Sequence, residues 1–257
     1  MEKLKQCFSF IDLTTLNATD TRSRGRLFAE NVNRFAREYP QMPHVAAICV
    51  YPALIQAVRE TLQVPGVSIA AVGGGFPASQ TFSRIKELEC ALCVEQGADE
   101  VDIVLSLNYF FSGEYEIVAT EIRNIRQAIG KGTHLKVILE TGALRTEENI
   151  RKASFLAMEN GADFIKTSTG KMEPAATPFA ARIMCQCISE YYQQTHTRVG
   201  FKPAGGIVTS DQALEYYDIV NQILGPEWLH PSLFRIGASR LANNLLKDIF
   251  SQDLVFF

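Results

Sequence analysis

The chain has 257 residues, 47% of them hydrophobic and 21% charged, with a formal net charge of -3 at pH 7. That is the profile of an ordinary globular protein with material for a large core; it excludes a disordered chain, and the slight negative charge argues against a broad nucleic-acid surface. No run approaches the roughly 20 apolar residues of a membrane span, and Met1 to Thr15 lacks the apolar core and small-residue cleavage site of a signal peptide, so a cytoplasmic protein without membrane contact is expected.

In chain order, apolar or β-branched runs recur at residues 8–13, 45–51, 68–72, 100–105, 134–140, 163–167, 198–202 and 233–237, which makes eight candidate strands. Helical spacing fills the segments between them: Leu27, Val32, Phe35 and Ala36, then Ile85, Leu88, Leu92 and Cys93, then Ile183, Cys187 and Ile188. Turn and cap signals fall where helices should begin: Thr19-Asp20, Pro52, Thr146-Glu147-Glu148, Thr177-Pro178 and Thr209-Ser210-Asp211. Strand and helix alternate throughout, and no linker or low-complexity tract divides the chain. A closed α/β barrel of the TIM (β/α)8 type needs about 250 residues as one domain, so a single domain over 1–257 is the economical reading. A doubly wound open sheet is the alternative, but the first strand runs into Leu13-Thr14-Thr15-Leu16-Asn17, which carries no dinucleotide fingerprint.

Six cysteines (Cys7, Cys49, Cys90, Cys93, Cys185 and Cys187) lie mostly in apolar segments, as reduced thiols of a cytosolic protein would. Cys90-Ala91-Leu92-Cys93 has redox spacing, yet it falls in mid-helix rather than at a helix start after a strand.

The candidate chemistry starts from Phe164-Ile165-Lys166-Thr167-Ser168-Thr169-Gly170-Lys171, where a lysine ends a short buried strand and opens into a polar loop. Barrel strands carry their chemistry at that end, and an amine held there away from water, near another cation, loses proton affinity and can attack a carbonyl. A lysine that simply reaches from the strand end to solvent is the plainer alternative. An internal echo extends the site: residues 97–103 match residues 161–167, and in register Asp102 falls on Lys166. Alternate strands fill one interior layer, so the fourth and sixth strands can set these two side chains at equal height. The seventh strand, Gly200-Phe201-Lys202-Pro203-Ala204-Gly205-Gly206, also ends in a lysine, and Lys202 beside Lys166 would depress the proton affinity of one of them. Lys136 and Asp12 extend the alternating charges, either in a catalytic task or as a buried structural ion pair.

Phosphate handling is suggested by Gly205-Gly206 after the seventh strand and by Gly237-Ala238-Ser239-Arg240 after the eighth, with Gly170 and Lys171 adding to the sixth loop. Thr169-Gly170-Lys171-Met172 is not a nucleotide P-loop, because residue 165 is Ile and Met follows the lysine. Gly73-Gly74-Gly75-Phe76-Pro77 reads as a mobile loop lining the mouth.

Together, residues 164–170, 200–206 and 98–102 closely resemble the deoxyribose-phosphate aldolases, a class I aldolase family on a TIM barrel. Supporting matches at residues 12–17, 46–52 and 234–239 spread the likeness over nearly the whole chain. The resemblance implies that Lys166 is the Schiff-base lysine, Lys202 the second lysine that tunes it, and Asp102 an acid/base group working with a water, with Lys136 and Asp12 as supporting charges. It further implies reversible cleavage of 2-deoxy-D-ribose 5-phosphate to acetaldehyde and D-glyceraldehyde 3-phosphate, in deoxyribose phosphate catabolism. No metal or other cofactor is expected. The implied partners are small phosphorylated sugars and aldehydes, with homodimerisation left open.

Three departures bear on loop geometry, phosphate affinity and proton-transfer rate. Phe76-Pro77-Ala78-Ser79 lacks a glycine that often follows this Phe-Pro, Arg240 replaces a small polar residue, and Phe256-Phe257 stand where some members end in tyrosine. The rival readings are a lysine aldolase using dihydroxyacetone phosphate as donor and a non-catalytic phosphosugar-binding barrel. The second has no use for two buried lysines beside Asp102.

Overall fold

A computed structural model describes residues 1–257. After helix α1 (Glu2–Ser9) the chain alternates β1 (Ile11–Thr14), α2 (Arg22–Glu38), β2 (Ala47–Val50), α3 (Ile55–Thr61), β3 (Ser68–Gly73), α4 (Ser83–Glu95) and β4 (Glu100–Val104). The short α5 (Leu107–Phe111) precedes α6 (Tyr115–Ile129), and α7 (Thr141–Leu144) precedes α8 (Glu147–Glu159), with β5 (His134–Ile138) between the two pairs. The order closes with β6 (Phe164–Lys166), α9 (Pro178–Thr195), β7 (Gly200–Lys202), α10 (Ser210–Leu224), β8 (Ile236–Ala238) and α11 (Leu241–Phe250).

All strand pairs are parallel, in the order β7-β6-β5-β4-β3-β2-β1-β8, and bridges from Phe201 to Phe234 and from Ala204 to Gly237 bring the two edge strands together. The result is the expected single-domain eight-stranded barrel, with every strand hydrogen-bonded on both sides and covered by helices. No helix is long and apolar enough to cross a membrane.

Several helices begin at their expected caps. The hydroxyls of Thr146, Thr177 and Thr209 accept the backbone N-H groups of Asn149, Ala180 and Gln212, and Gln212 completes a capping box at α10; each such cap stabilises by about 1 kcal/mol. The start of α2 differs from the expectation. Asp20 is occupied by the Thr15 hydroxyl (2.7 Å) and the Asn17 amide (2.9 Å) of the preceding loop, so the cap passes to Thr21. The first strand also differs, because Phe8 lies in the last turn of α1 and the strand begins at Ile11. A helix end abutting a strand reads as one apolar run in so short a window.

On α4 the apolar spacing found a helix, but of its four residues only Cys93 lies on the buried face. Ile85, Leu88 and Leu92 are 49%, 55% and 44% exposed, while Lys86, Cys90 and Cys93 point inward. All six cysteines are free and buried, and burial raises the thiol pKa of both Cys7 and Cys93 to about 12.

The main core lies between the sheet and its helices. The barrel interior is divided. Leu16, Ala47, Cys49, Ala70 and Val72 make an apolar patch against β1 to β3, roofed by Tyr51 and Phe76. The rest is filled by charges where branched apolar side chains would be usual.

Candidate active site

Strand register assembles the charged half. Asp102 on β4 pairs with Lys136 on β5, and Lys166 at the end of β6 pairs with Lys202 at the end of β7. Since tilted strands climb about two residues for every two strands around such a barrel, Lys166 comes level with Asp102. Lys166 Nζ and Lys202 Nζ both donate to Asp102 Oδ2, at 2.9 and 2.8 Å, and Lys136 Nζ donates to Asp102 Oδ1 at 2.8 Å. Lys202 also bonds Asp12, whose Oδ2 lies 3.6 Å from Lys136. Gly237 makes room for this arrangement: a Cβ there would stand 3.2 Å from Lys202 Cε and 2.7 Å from the Ala204 methyl.

Two members of the network were not singled out in the sequence. Arg235 reaches Asp12 (2.6 Å) and Glu100 (2.7 Å), and Glu100 in turn holds Lys136. Their signal was the period-2 alternation of a strand: Glu100 shares the inward face of β4 with Asp102. Glu140, in a left-handed conformation after β5, was also missed; it is buried and accepts the Thr169 hydroxyl and backbone N-H of the sixth loop.

Three carboxylates thus face four basic groups in one desolvated space, and the lysines are compensated unequally. Lys136 has Glu100, Asp102 and Asp12; Lys202 has Asp12 and Asp102; Lys166 has Asp102 alone. Burial, joined by the Lys202 ammonium, pulls the Lys166 pKa below the ordinary lysine value against the attraction of Asp102. Burial would lower Lys202 as well, but Asp102 and Asp12 overcome it and raise its pKa, so Lys202 stays an ammonium. Burial opposes ionisation of Asp102, yet the ammonium groups around it hold its carboxyl well below the usual range. Unprotonated Lys166 leaves the cluster with three positive and three negative charges.

Lys166, 3% exposed, forms the floor of a cleft of about 720 Å³. The cleft is lined by the loops after β1, β6, β7 and β8, and it gathers every residue expected to handle phosphate: Gly170, Lys171, Gly205, Gly206, Gly237 and Ser239. Gly205 and Gly206 have φ of +87° and +77°, and a Cβ on Gly205 would lie 2.7 Å from the Ala175 methyl. No side chain caps the start of α11, so its first N-H groups are available to an anion beside Ser239 and Arg240. Arg24 and Phe257 also line the cleft, and Asn243 holds the backbone of Phe256 and Phe257. No group of three or more His, Cys, Asp or Glu side chains is placed to hold a metal ion.

Known proteins resemble the chain over most of its length. The family model of the DeoC/LacD aldolases matches residues 7–219. The chain is 40% identical to a Homo sapiens protein named deoxyribose-phosphate aldolase, over 96% of this chain and 80% of that one, and 40% identical to the Mus musculus protein of the same name over the same shares. A solved structure of deoxyribose phosphate aldolase from Aeropyrum pernix, described as tetrameric, shares the fold, with a TM-score of 0.74 at 24% identity over 98% of this chain and 94% of that one.

Proposed function

The chain belongs to the DeoC/LacD family of aldolases, and on that premise we propose that it cleaves 2-deoxy-D-ribose 5-phosphate reversibly to acetaldehyde and D-glyceraldehyde 3-phosphate through a Schiff base on Lys166. The carrying observation is that Lys166 is the one interior amine that both opens onto the phosphate-type cleft and has a lowered pKa. Its free amine attacks C1 of the open-chain sugar, water leaves, and a protonated imine forms. That imine draws electrons from the C2-C3 bond as the C3 hydroxyl loses its proton. Glyceraldehyde 3-phosphate departs, the remaining two-carbon enamine takes a proton at C2, and water releases acetaldehyde and the amine.

Asp102 is the proposed proton carrier, working with a water. Once the Lys166 nitrogen is committed to the imine, Asp102 Oδ2 retains Lys202 as donor and has capacity for a proton to pass. Lys202 stays charged and keeps Lys166 deprotonated between turnovers. The glycine loops, Ser239, Arg240 and Lys171 are proposed to hold the 5-phosphate, so that binding at a remote group positions the reacting carbons. This activity would place the protein in the breakdown of deoxyribose phosphate.

Borohydride reduction in the presence of acetaldehyde, followed by peptide mapping, tests the reading. One two-carbon unit on Lys166 is the expected product, and modification elsewhere, or none, would sink it. Offering dihydroxyacetone phosphate as the donor in the synthetic direction separates the other lysine-aldolase reading.

A further inference from the structure

A second buried ionic cluster lies outside the barrel interior. Lys86 of α4 and Glu121 of α6 are both buried, with Lys86 Nζ 3.1 Å from each Glu121 oxygen. The Ser106 hydroxyl, just past β4, accepts from Lys86 at 2.7 Å and donates to Glu121; Ser83 adds a bond to Glu121 at 2.6 Å. On its other side Ser106 meets Ser79 at 3.4 Å. Ser79 is itself buried and left-handed (φ 55°), within the loop that leads from β3 to α4.

We propose that the Lys86–Glu121 pair, acting through Ser106 and Ser79, is a positioning device that fixes residues 74–79 of the loop after β3 and thereby sets the size of carbonyl donor that reaches Lys166. This rests on the aldolase reading above. A paired charge buried under an apolar helix face adds little stability over packed apolar side chains, but it accepts few alternative geometries. The loop it holds was expected to be mobile; it is tied to α4, where Glu89 accepts the Gly75 N-H at 2.8 Å, and closed on itself, where Ser79 N-H returns to the Gly75 carbonyl at 2.8 Å. Between the two ties Phe76 packs against Tyr51, ring centroids 6.0 Å apart, over the patch formed by Leu16, Cys49 and Val72. That patch is the apolar wall of the interior. It faces the lysines from the β1 to β3 side and meets the phosphate cleft at Leu16, which lines both, while Cys49 and Val72 on β2 and β3 lie beyond that cleft, whose glycine loops follow β7 and β8. With the phosphate end drawn to the cleft, the carbons attached to Lys166 meet the wall, and a rigid Phe76 limits their bulk.

The decisive variant is Ser106→Ala, which cuts the link to the loop while leaving the ion pair to hold α4 against α6. Trapping at Lys166 is measured with acetaldehyde and with propanal, beside kcat and KM for glyceraldehyde 3-phosphate. The preference for acetaldehyde over propanal should fall roughly three- to tenfold, the worth of one net hydrogen bond, with KM for glyceraldehyde 3-phosphate unchanged. Lys86→Arg, which keeps the charge, should retain the wild-type preference. Lys86→Met combined with Glu121→Leu, an apolar replacement of the pair, should lose it while unfolding cooperatively. An unchanged preference in Ser106→Ala, or equal slowing with both aldehydes, would make the cluster a structural prop and overturn the proposal. Wild-type protein that traps neither aldehyde would instead overturn the aldolase reading, and this inference with it.

Discussion

Replacing Lys202 with Leu is the sharpest test of the interior electrostatics, because charge balance fixes the sign in advance. In the wild type the cluster reaches neutrality with Lys166 unprotonated; without Lys202 it reaches neutrality only with Lys166 protonated. The magnitude follows from geometry. Both nitrogens sit on Asp102 Oδ2, at 2.9 and 2.8 Å. Two donors sharing one oxygen are about 5 Å apart, and at an effective dielectric constant of about 20 their repulsion is about 3 kcal/mol. Losing it should shift the Lys166 protonation equilibrium roughly 10²-fold toward the ammonium form. The fold should survive, since Asp12 keeps Arg235 and Asp102 keeps Lys136 and Lys166. The assay is the pH profile of borohydride trapping with acetaldehyde, alongside a denaturation curve to confirm cooperative unfolding. Trapping in Lys202→Leu should become fast only at more alkaline pH than in wild type. If the two profiles overlay while cleavage collapses, Lys202 acts later, as a proton donor or substrate ligand, and the electrostatic account is wrong.

Asp102→Asn should keep a trappable Lys166 yet slow cleavage by about 10²-fold or more, as loss of a general acid/base does; near-normal turnover would leave Asp102 only a structural role. Arg240→Ser should raise KM for 2-deoxyribose 5-phosphate and leave that for unphosphorylated 2-deoxyribose unchanged, and equal effects on both would remove Arg240 from the phosphate. Asp12, Glu100 and Asp102 are all held below their ordinary pKa, so the unfolded chain binds more protons than the folded one. Their contribution to stability is complete above the unfolded carboxylate range of about 4 and is lost as pH falls through and below it. Urea midpoints measured between pH 6 and pH 3 should therefore drop, and a flat series would mean the interior carboxylates are not ion-paired.

What the sequence made legible was whatever repeats or sits at a strand end. Eight apolar runs gave the barrel, and Asp102, Lys166 and Lys202 stood out because each is a charge interrupting such a run at a place where chemistry is expected. Arg235 and Glu100 were passed over for the converse reason: they sit lower on their strands, where a charge needs a partner that only the closed barrel supplies. Lys86 was hidden by its neighbours. Ile85 and Leu88 advertised an apolar face that turns out to be the outer one, and only the approach of Glu121 and Ser106 makes burying a lysine there tolerable.

The three interior lysines also show why a motif alone does not single out the proposed nucleophile. Lys136, Lys166 and Lys202 are all buried, and burial taken by itself would lower the pKa of each. What separates them is the number of carboxylates within reach. Lys136, at the centre of Asp12, Glu100 and Asp102, and Lys202, between Asp12 and Asp102, both end above the ordinary value; Lys166, with Asp102 alone and that oxygen shared with Lys202, ends below it. Lys166 is also the one of the three that lines the cleft. The count of carboxylates follows from height in the barrel, because the interior acids lie on β1 and β4 toward the amino ends of the strands while β6 carries Lys166 to the mouth. An acid introduced at the mouth, as in Thr14→Asp, would erase that difference, raising the Lys166 pKa and moving the trapping profile to alkaline pH with Lys202 still in place. Trapping that stayed fast at neutral pH in a folded Thr14→Asp protein would show that the carboxylate count does not govern the amine.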